Sequence, residues 1–344
     1  MTLDLELIEQ LTCSPGVSGG ESAVRAIIRE RIRPLVNDLH TDALGNLIAR
    51  KKAGGRSRKL TVMLAAHMDE VGLMLTFIDK SGYLRFAAVG GVDGRVLLAK
   101  RVLVGRDRVP GVIGSWPVHL LRRRSDLQQA PSADDLVIDI GAATAEEAGR
   151  HVGVGDYAVF DTLFEDWGPV LKAKAFDDRI GCYILIELLK GRHPVDITAA
   201  FSTQEEVGLR GAAVAAYSQR PDIALVLDAT PAADFPGPEP SGAGRVPRLG
   251  QGPVITIMDS TAFCDRRLVK LLADTAKRLR IPVQYKRPGI GGTDAGQIHL
   301  SRGGVRTAVM AIPNRYIHSP ATLVSKQDVL RGLRLLRAVL AGLR

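Results

Sequence analysis

The chain has 344 residues, 46% of them hydrophobic and 24% charged, with a formal net charge of +9. That length accommodates one large α/β domain with a smaller insert, the composition is that of a globular protein, and no apolar run is long enough to span a bilayer. Cys13, Cys182 and Cys264 are odd in number and far apart, which excludes a disulfide framework or a local CxxC metal site and favours a reducing compartment. The N-terminal run is acidic and amphipathic, with neither a basic nor an apolar leader segment, so the cytoplasm is expected. Basic residues gather at Arg50, Lys51, Lys52, Arg56, Arg58 and Lys59, and again at Arg122-Arg123-Arg124. Both groups lie among turn formers or polar residues and read as solvated loops. No aromatic motif interleaves with them, so neither nucleic acid nor membrane is an expected partner.

Ser18-Gly19-Gly20-Glu21 has the pattern of a capping box and predicts a helix over 18–37, followed by a hairpin turning at Leu44-Gly45-Asn46. The apolar segment 60–66 suits a strand covered on both faces. From Gly72 to Phe164 short alternating runs and turn signals predict an all-β insert of short strands. An α/β rhythm then resumes. Helices are predicted over 178–190, 209–218, 265–280 and 326–343, and strands over 197–203, 222–228, 282–286 and 305–312. The Pro- and Gly-rich segment 234–252 reads as a loop. This alternation predicts an α/β fold with a mostly parallel central sheet and helices on both faces. Residues 1–70 and 165–344 would form that domain, and 71–164 a small inserted β domain.

Potential metal ligands recur where these strands end. His67 and Asp69 follow strand 60–66, Glu205 and Glu206 follow 197–203, Asp228 closes 222–228, and His318 lies beyond 305–312. In an open parallel sheet, groups at the carboxyl ends of strands meet in one crevice. Asp177 adds a carboxylate at the start of helix 178–190, where the helix dipole favours negative charge. Two imidazoles among several carboxylates form a donor set that suits zinc, cobalt or manganese. His40, His119, His151, His193 and His299 read as packed or hydrogen-bonded side chains.

The runs Ala-His-Met-Asp-Glu-Val-Gly (66–72), Ala-Phe-Asp-Asp-Arg-Ile-Gly-Cys (175–182), Ser-Thr-Gln-Glu-Glu-Val-Gly-Leu-Arg-Gly-Ala (202–212), Gly-Gly-Thr-Asp-Ala-Gly (291–296) and Arg-Tyr-Ile-His-Ser-Pro (315–320) occur in this order. Together they resemble the tetrahedral dinuclear-metal aminopeptidases, the glutamyl- and deblocking-aminopeptidase family, some of whose members have carried an endoglucanase label. Gly-Val-Ile-Gly-Ser (111–115) and His-Leu-Leu (119–121) extend the likeness into the insert. The resemblance implies that His67 and Asp228 bind one divalent ion and Glu206 and His318 another, with Asp177 bridging both. Glu205 would be the general base, and Asp69 would orient the His67 imidazole. It further implies short peptides with free N-termini as substrates. The insert would help subunits associate, and the assembly would be a homo-oligomer, a tetrahedral dodecamer with inward-facing sites.

A related carboxypeptidase or N-acyl amino-acid deacylase would instead need a cation to hold a substrate carboxylate, for which Arg245, Arg248 and Arg287 are the candidates. A glycoside hydrolase needs two carboxyls flanking a sugar bond, whereas these carboxylates come grouped with histidines. A peptide-binding scaffold without catalysis has no use for so complete a ligand set. The run 291–296 lacks the Lys-Ser/Thr of a phosphate loop. It reads either as an active-site loop shaping the substrate pocket or as a tight turn into a helix over 294–301.

Overall fold

The structure, a computed structural model, describes residues 2–54, 60–117, 119, 131–236 and 246–343. Arg56, Arg58, Lys59, Leu120, Leu121, the Arg122-Arg123-Arg124 run, Arg245 and part of the 234–252 loop lie outside the described residues.

The amphipathic start forms helix α1 (Leu5–Cys13), with the Asp4 carboxylate accepting from the Leu7 N–H at 3.0 Å. Helix α2 (Ser22–Ile32) leads through a turn at Pro34 to β1 (Asp38–Thr41), β2 (Leu47–Lys51) and β3 (Thr61–His67). The expected capping box does not form. Ser18 Oγ donates to Asp69 at 2.5 Å, and Glu21 accepts from the N–H groups of Gly19 (2.7 Å) and Gln204 (3.2 Å). Distant loops recruit both side chains, so α2 is shorter than 18–37.

The insert comprises β4 (Gly72–Ile78), β5 (Leu84–Val89), β6 (Arg101–Val104), β7 (Val109–Gly114), β8 (Val137–Asp139), the short helix α3 (Ala145–Gly149) and β9 (Tyr157–Phe160). Its strands close into a barrel in the order β4-β5-β8-β7-β6-β9 around Leu75, Phe86, Ile113 and Ile138. Closure leaves no unpaired edge. The insert is not purely β, because Thr144 caps α3 by accepting from the Glu147 N–H at 3.2 Å.

The chain returns through β10 (Glu165–Asp166), β11 (Val170–Ala173), α4 (Phe176–Leu189), β12 (Asp196–Ser202), α5 (Arg210–Gln219) and β13 (Ile223–Pro231). It finishes with β14 (Val254–Thr256), α6 (Arg266–Arg278), β15 (Gln284–Tyr285), α7 (Ala295–Ile298), β16 (Arg306–Arg315), β17 (Thr322–Ser325) and α8 (Lys326–Gly342). The main sheet runs β1-β2-β12-β3-β13-β16-β17-β11-β10, with β14 and β15 attached beside β16. It is mixed, not mostly parallel. The central β12, β3, β13 and β16 run parallel to one another, as do the short attached β14 and β15, while both flanks are antiparallel. The reason is connection length. Residues 42–46 and 316–321 are too short for the crossover that a parallel neighbour requires.

Helix α4 is buried nearly all round, between the sheet and α1, α2 and α8. On the other face, alanines 212, 215, 216 and 295 let α5 and α7 approach the strands closely. Register then sets the site. His67 lies opposite Ser202, Ala65 opposite Val226, and Asp228 opposite Ala311, so the ends of four parallel strands share one rim.

Candidate metal centre

Two overlapping trios stand on that rim, each with ligand atoms within 4.8 Å of one another: His67, Asp177 and Asp228, and Asp177, Glu206 and His318. His67 Nε2 lies 3.1 Å from Asp177 Oδ1, and His318 Nε2 lies 3.3 Å from both Asp177 Oδ2 and Glu206 Oε1. Asp177 therefore offers one oxygen to each trio. Its backbone is not helical, and neither is that of Asp178, so regular helix begins beyond them. The two imidazoles, not a helix dipole, hold the Asp177 charge. Among the described residues, the other five histidines join neither trio; His193 and His299 bond backbone carbonyls instead.

Each ligand is fixed from behind. The His67 N–H donates to buried Asp178 (3.2 Å), and the His67 carbonyl receives the Cys182 thiol at 3.1 Å. His67 Nδ1 faces the Asp69 backbone carbonyl at 3.2 Å, and the Asp69 carboxylate only at 3.5 Å. That carboxylate mainly serves the neighbouring loop, accepting from the N–H groups of Glu205 (3.0 Å) and Glu206 (3.2 Å). With Glu21 on Gln204, three successive N–H groups are thus received by two buried carboxylates. His318 Nδ1 lies 3.0 Å from the Gly91 carbonyl of the insert. The adjacent Gly90 (φ +82°) has room for no side chain, since a Cβ there would come within 2.9 Å of Val71 and 3.2 Å of Glu206. Ser18, Glu21, Asp178 and Gly91 were not anticipated as site residues. Of these, only Asp178 carried a signal, its place beside Asp177 in the 175–182 run.

The electrostatics call for cations. Burial raises the pKa values of Asp228, Asp178 and Glu205 well above the carboxylate range, and it raises that of Glu206 as well. Burial would also lift Asp177, but hydrogen bonds from His318 and His67 overcome it and hold Asp177 low. Burial opposes charge on His318, yet Asp177 and Glu206 raise it to about 11; His67 likewise rises well above its usual value, against its burial, through Glu205, Asp177 and Asp69. Protonated imidazoles here take the place of positive charge that the carboxylates require. Glu206 Oε1 is buried without an aligned donor, although His318 is 3.3 Å away. An orphaned carboxylate oxygen within a nitrogen-and-oxygen donor set fits divalent metal ions.

A cleft of about 340 Å³ opens beside the trios, lined by Glu205, Leu209, Asp228, Lys286, Gly291, Gly292 and Ile317 among others. The 291–296 run is therefore both wall and turn. Gly291 and Gly292 face the cleft, while Asp294, pushed up to about 6 by burial, receives Ser202 Oγ at the head of α7.

Residues 45–335 match the profile of the M42 glutamyl aminopeptidases. The chain belongs to the M42 peptidase family. Membership makes it an aminopeptidase, a hydrolase. A lysyl aminopeptidase of Pyrococcus furiosus is 36% identical over 99% of this chain and 98% of its own. A TET aminopeptidase from a marine-sediment thaumarchaeon superposes with a TM-score of 0.92 at 36% identity, covering 98% of this chain and 96% of that one. The TET1 peptidase of Pyrococcus horikoshii, described as assembling into a tetrahedron or a large octahedral shell, gives 0.86 at 33% identity over 98% of this chain and 99% of its own. The M42 description names a glutamyl aminopeptidase, whereas the Pyrococcus furiosus relative is a lysyl one. Among the described residues, no helix is long and apolar enough to cross a membrane.

Proposed function

We propose that this M42 protein cleaves N-terminal residues from short peptides through two divalent ions, zinc, cobalt or manganese. His67 and Asp228 hold one, Glu206 and His318 the other, and Asp177 both. The observation that carries this reading is the pair of trios sharing Asp177, with Glu205 beside them on the cleft wall. When bound, such an ion pair polarises the scissile carbonyl and lowers the pKa of the attacking water to roughly 7. Glu205 takes the proton from that water and passes it to the leaving amine, a role its place on the cleft wall beside the trios supports. Asp69 keeps Glu205 and Glu206 in register through their backbone N–H groups and orients His67 through its own carbonyl. The anionic rim suits the free α-amino group of an unblocked peptide.

Residues 71–164 act in this reading as an inserted association domain between two parts of a catalytic domain, 1–70 and 165–344. The chain works as a homo-oligomer, a tetrahedral dodecamer, in the cytoplasm. Exposed Phe77, Leu98, Val112, Trp116 and Val154 on the insert support association. A light-scattering mass equal to the 37.0 kDa of one chain would refute the assembly.

The activity is tested with aminoacyl-coumarin amides, each paired with its N-acetylated twin, before and after chelation and with metal returned. Turnover of free-amine substrates alone, lost on chelation and restored by metal, is expected. Hydrolysis of the blocked twins would point to a deacylase instead.

A further inference from the structure

The cleft holds one ammonium group that the mechanism above leaves unused. Lys286 follows β15, is only 6% exposed, and shares the cleft wall with Asp228, Gly291 and Ile317. Its Nζ has neither an ion pair nor a hydrogen bond among the described residues. Among the described residues, the other buried lysine is held differently. Lys174 binds both oxygens of Glu70, at 2.6 and 2.7 Å. A buried cation without a partner is costly unless a counter-charge reaches it. Asp228 senses the Lys286 charge, but the proposed centre already engages that carboxylate.

The surroundings leave space for such a counter-charge. A Cβ on Gly291 (φ +62°) would sit 3.5 Å from Nζ, so the glycine keeps that side of the ammonium clear. Its carbonyl is held by the Ser260 N–H (2.8 Å) and Oγ (2.7 Å), which fixes the loop. Leu209, Ala229, Pro231 and Ile317 give the same cleft apolar walls suited to a methylene stem. Arg248 and Arg287, the carboxylate holders suggested by sequence, are exposed and off the cleft, and Arg245 lies outside the described residues.

We propose that Lys286 determines specificity, its ammonium receiving the side-chain carboxylate of an N-terminal glutamate or aspartate. The assignment rests on the aminopeptidase reading and deepens it. The net charge of +9 acts in the same direction at long range, drawing acidic peptides toward the protein.

The test compares kcat/KM for glutamyl- and glutaminyl-coumarin amides, which match in shape and differ in charge, on the full-length, metal-loaded protein. A preference for glutamyl on the order of 10- to 100-fold is expected, the scale of one charge-assisted hydrogen bond. Lys286→Met should bring the ratio near one, Lys286→Arg should keep it above one, and Lys286→Glu should favour lysyl over glutamyl substrates. Because each ratio compares two substrates on one preparation, partial misfolding of a variant does not alter it. Free-amine turnover without a glutamyl preference, or a preference that persists in Lys286→Met, overturns this assignment alone. Hydrolysis confined to N-acylated substrates overturns the aminopeptidase reading and this assignment with it.

Discussion

Glu205 and Glu206 are adjacent in sequence yet have different tasks, and their neighbours separate them. Both line the cleft, but Glu206 points an orphaned oxygen toward His318 and joins a trio, whereas Glu205 joins neither trio. Glu205→Gln should therefore bind metal as the parent does and lose at least ~10²-fold in kcat, the usual scale of general acid–base catalysis. Near-parental turnover in the metal-loaded variant would remove the role. A second prediction concerns a residue far from the centre. Burial pushes His193 below its ordinary value, against the pull of the Leu188 carbonyl that its ring bonds at 2.8 Å. Below about pH 6.5 the unfolded chain then takes up a proton at this site that the folded chain refuses. Its contribution to stability is present above that pH and falls as pH drops through the folded value. The urea midpoint of the parent should therefore decline more steeply below pH 6.5 than that of His193→Gln; parallel curves would contradict this.

At the level of elements, the candidate loop depends on a hairpin far away in sequence. Asn46, in the β1–β2 turn, is fully buried. It accepts from the Thr203 N–H (3.0 Å) and donates to the Gly211 carbonyl (2.9 Å), clamping both ends of the loop that carries Glu205 and Glu206. Asn46→Ala leaves the Thr203 N–H without its partner, takes one of two donors from the Gly211 carbonyl, and should cost about 2 kcal/mol. A urea midpoint lowered accordingly at constant m-value would show it; an unchanged midpoint would mean that water replaces the amide. This level also divides what the sequence disclosed from what it did not. Strand 60–66, hairpin 44–46 and helix 326–343 have strong periodic or turn signals and appear as β3, the β1–β2 turn and α8. The short β11, β14 and β17 carry too few residues for a period to register, and with them the antiparallel flank beyond β16 went unseen. The Ser18-to-Glu21 run failed as a capping box because its side chains bond residues far along the chain, which no local pattern records.

For the whole molecule, candidate ligands at strand ends were legible because an open α/β sheet gathers such positions on one rim. The structure brings all five into two trios with a shared carboxylate. Less legible were the groups behind and beside them. Gly91 reaches His318 from the insert, and Lys286 stands one residue before the arginine that the sequence suggested. Such long-range packing lies outside any single motif. The shared position of Asp177 makes the two ion sites a unit, so the most direct test of the account is a titration of the metal-free protein with zinc or cobalt, reading hydrolysis of a free-amine substrate. The account predicts activity that rises to a plateau at two equivalents per chain. Full activity in the metal-free protein, or a plateau at one equivalent, would contradict it.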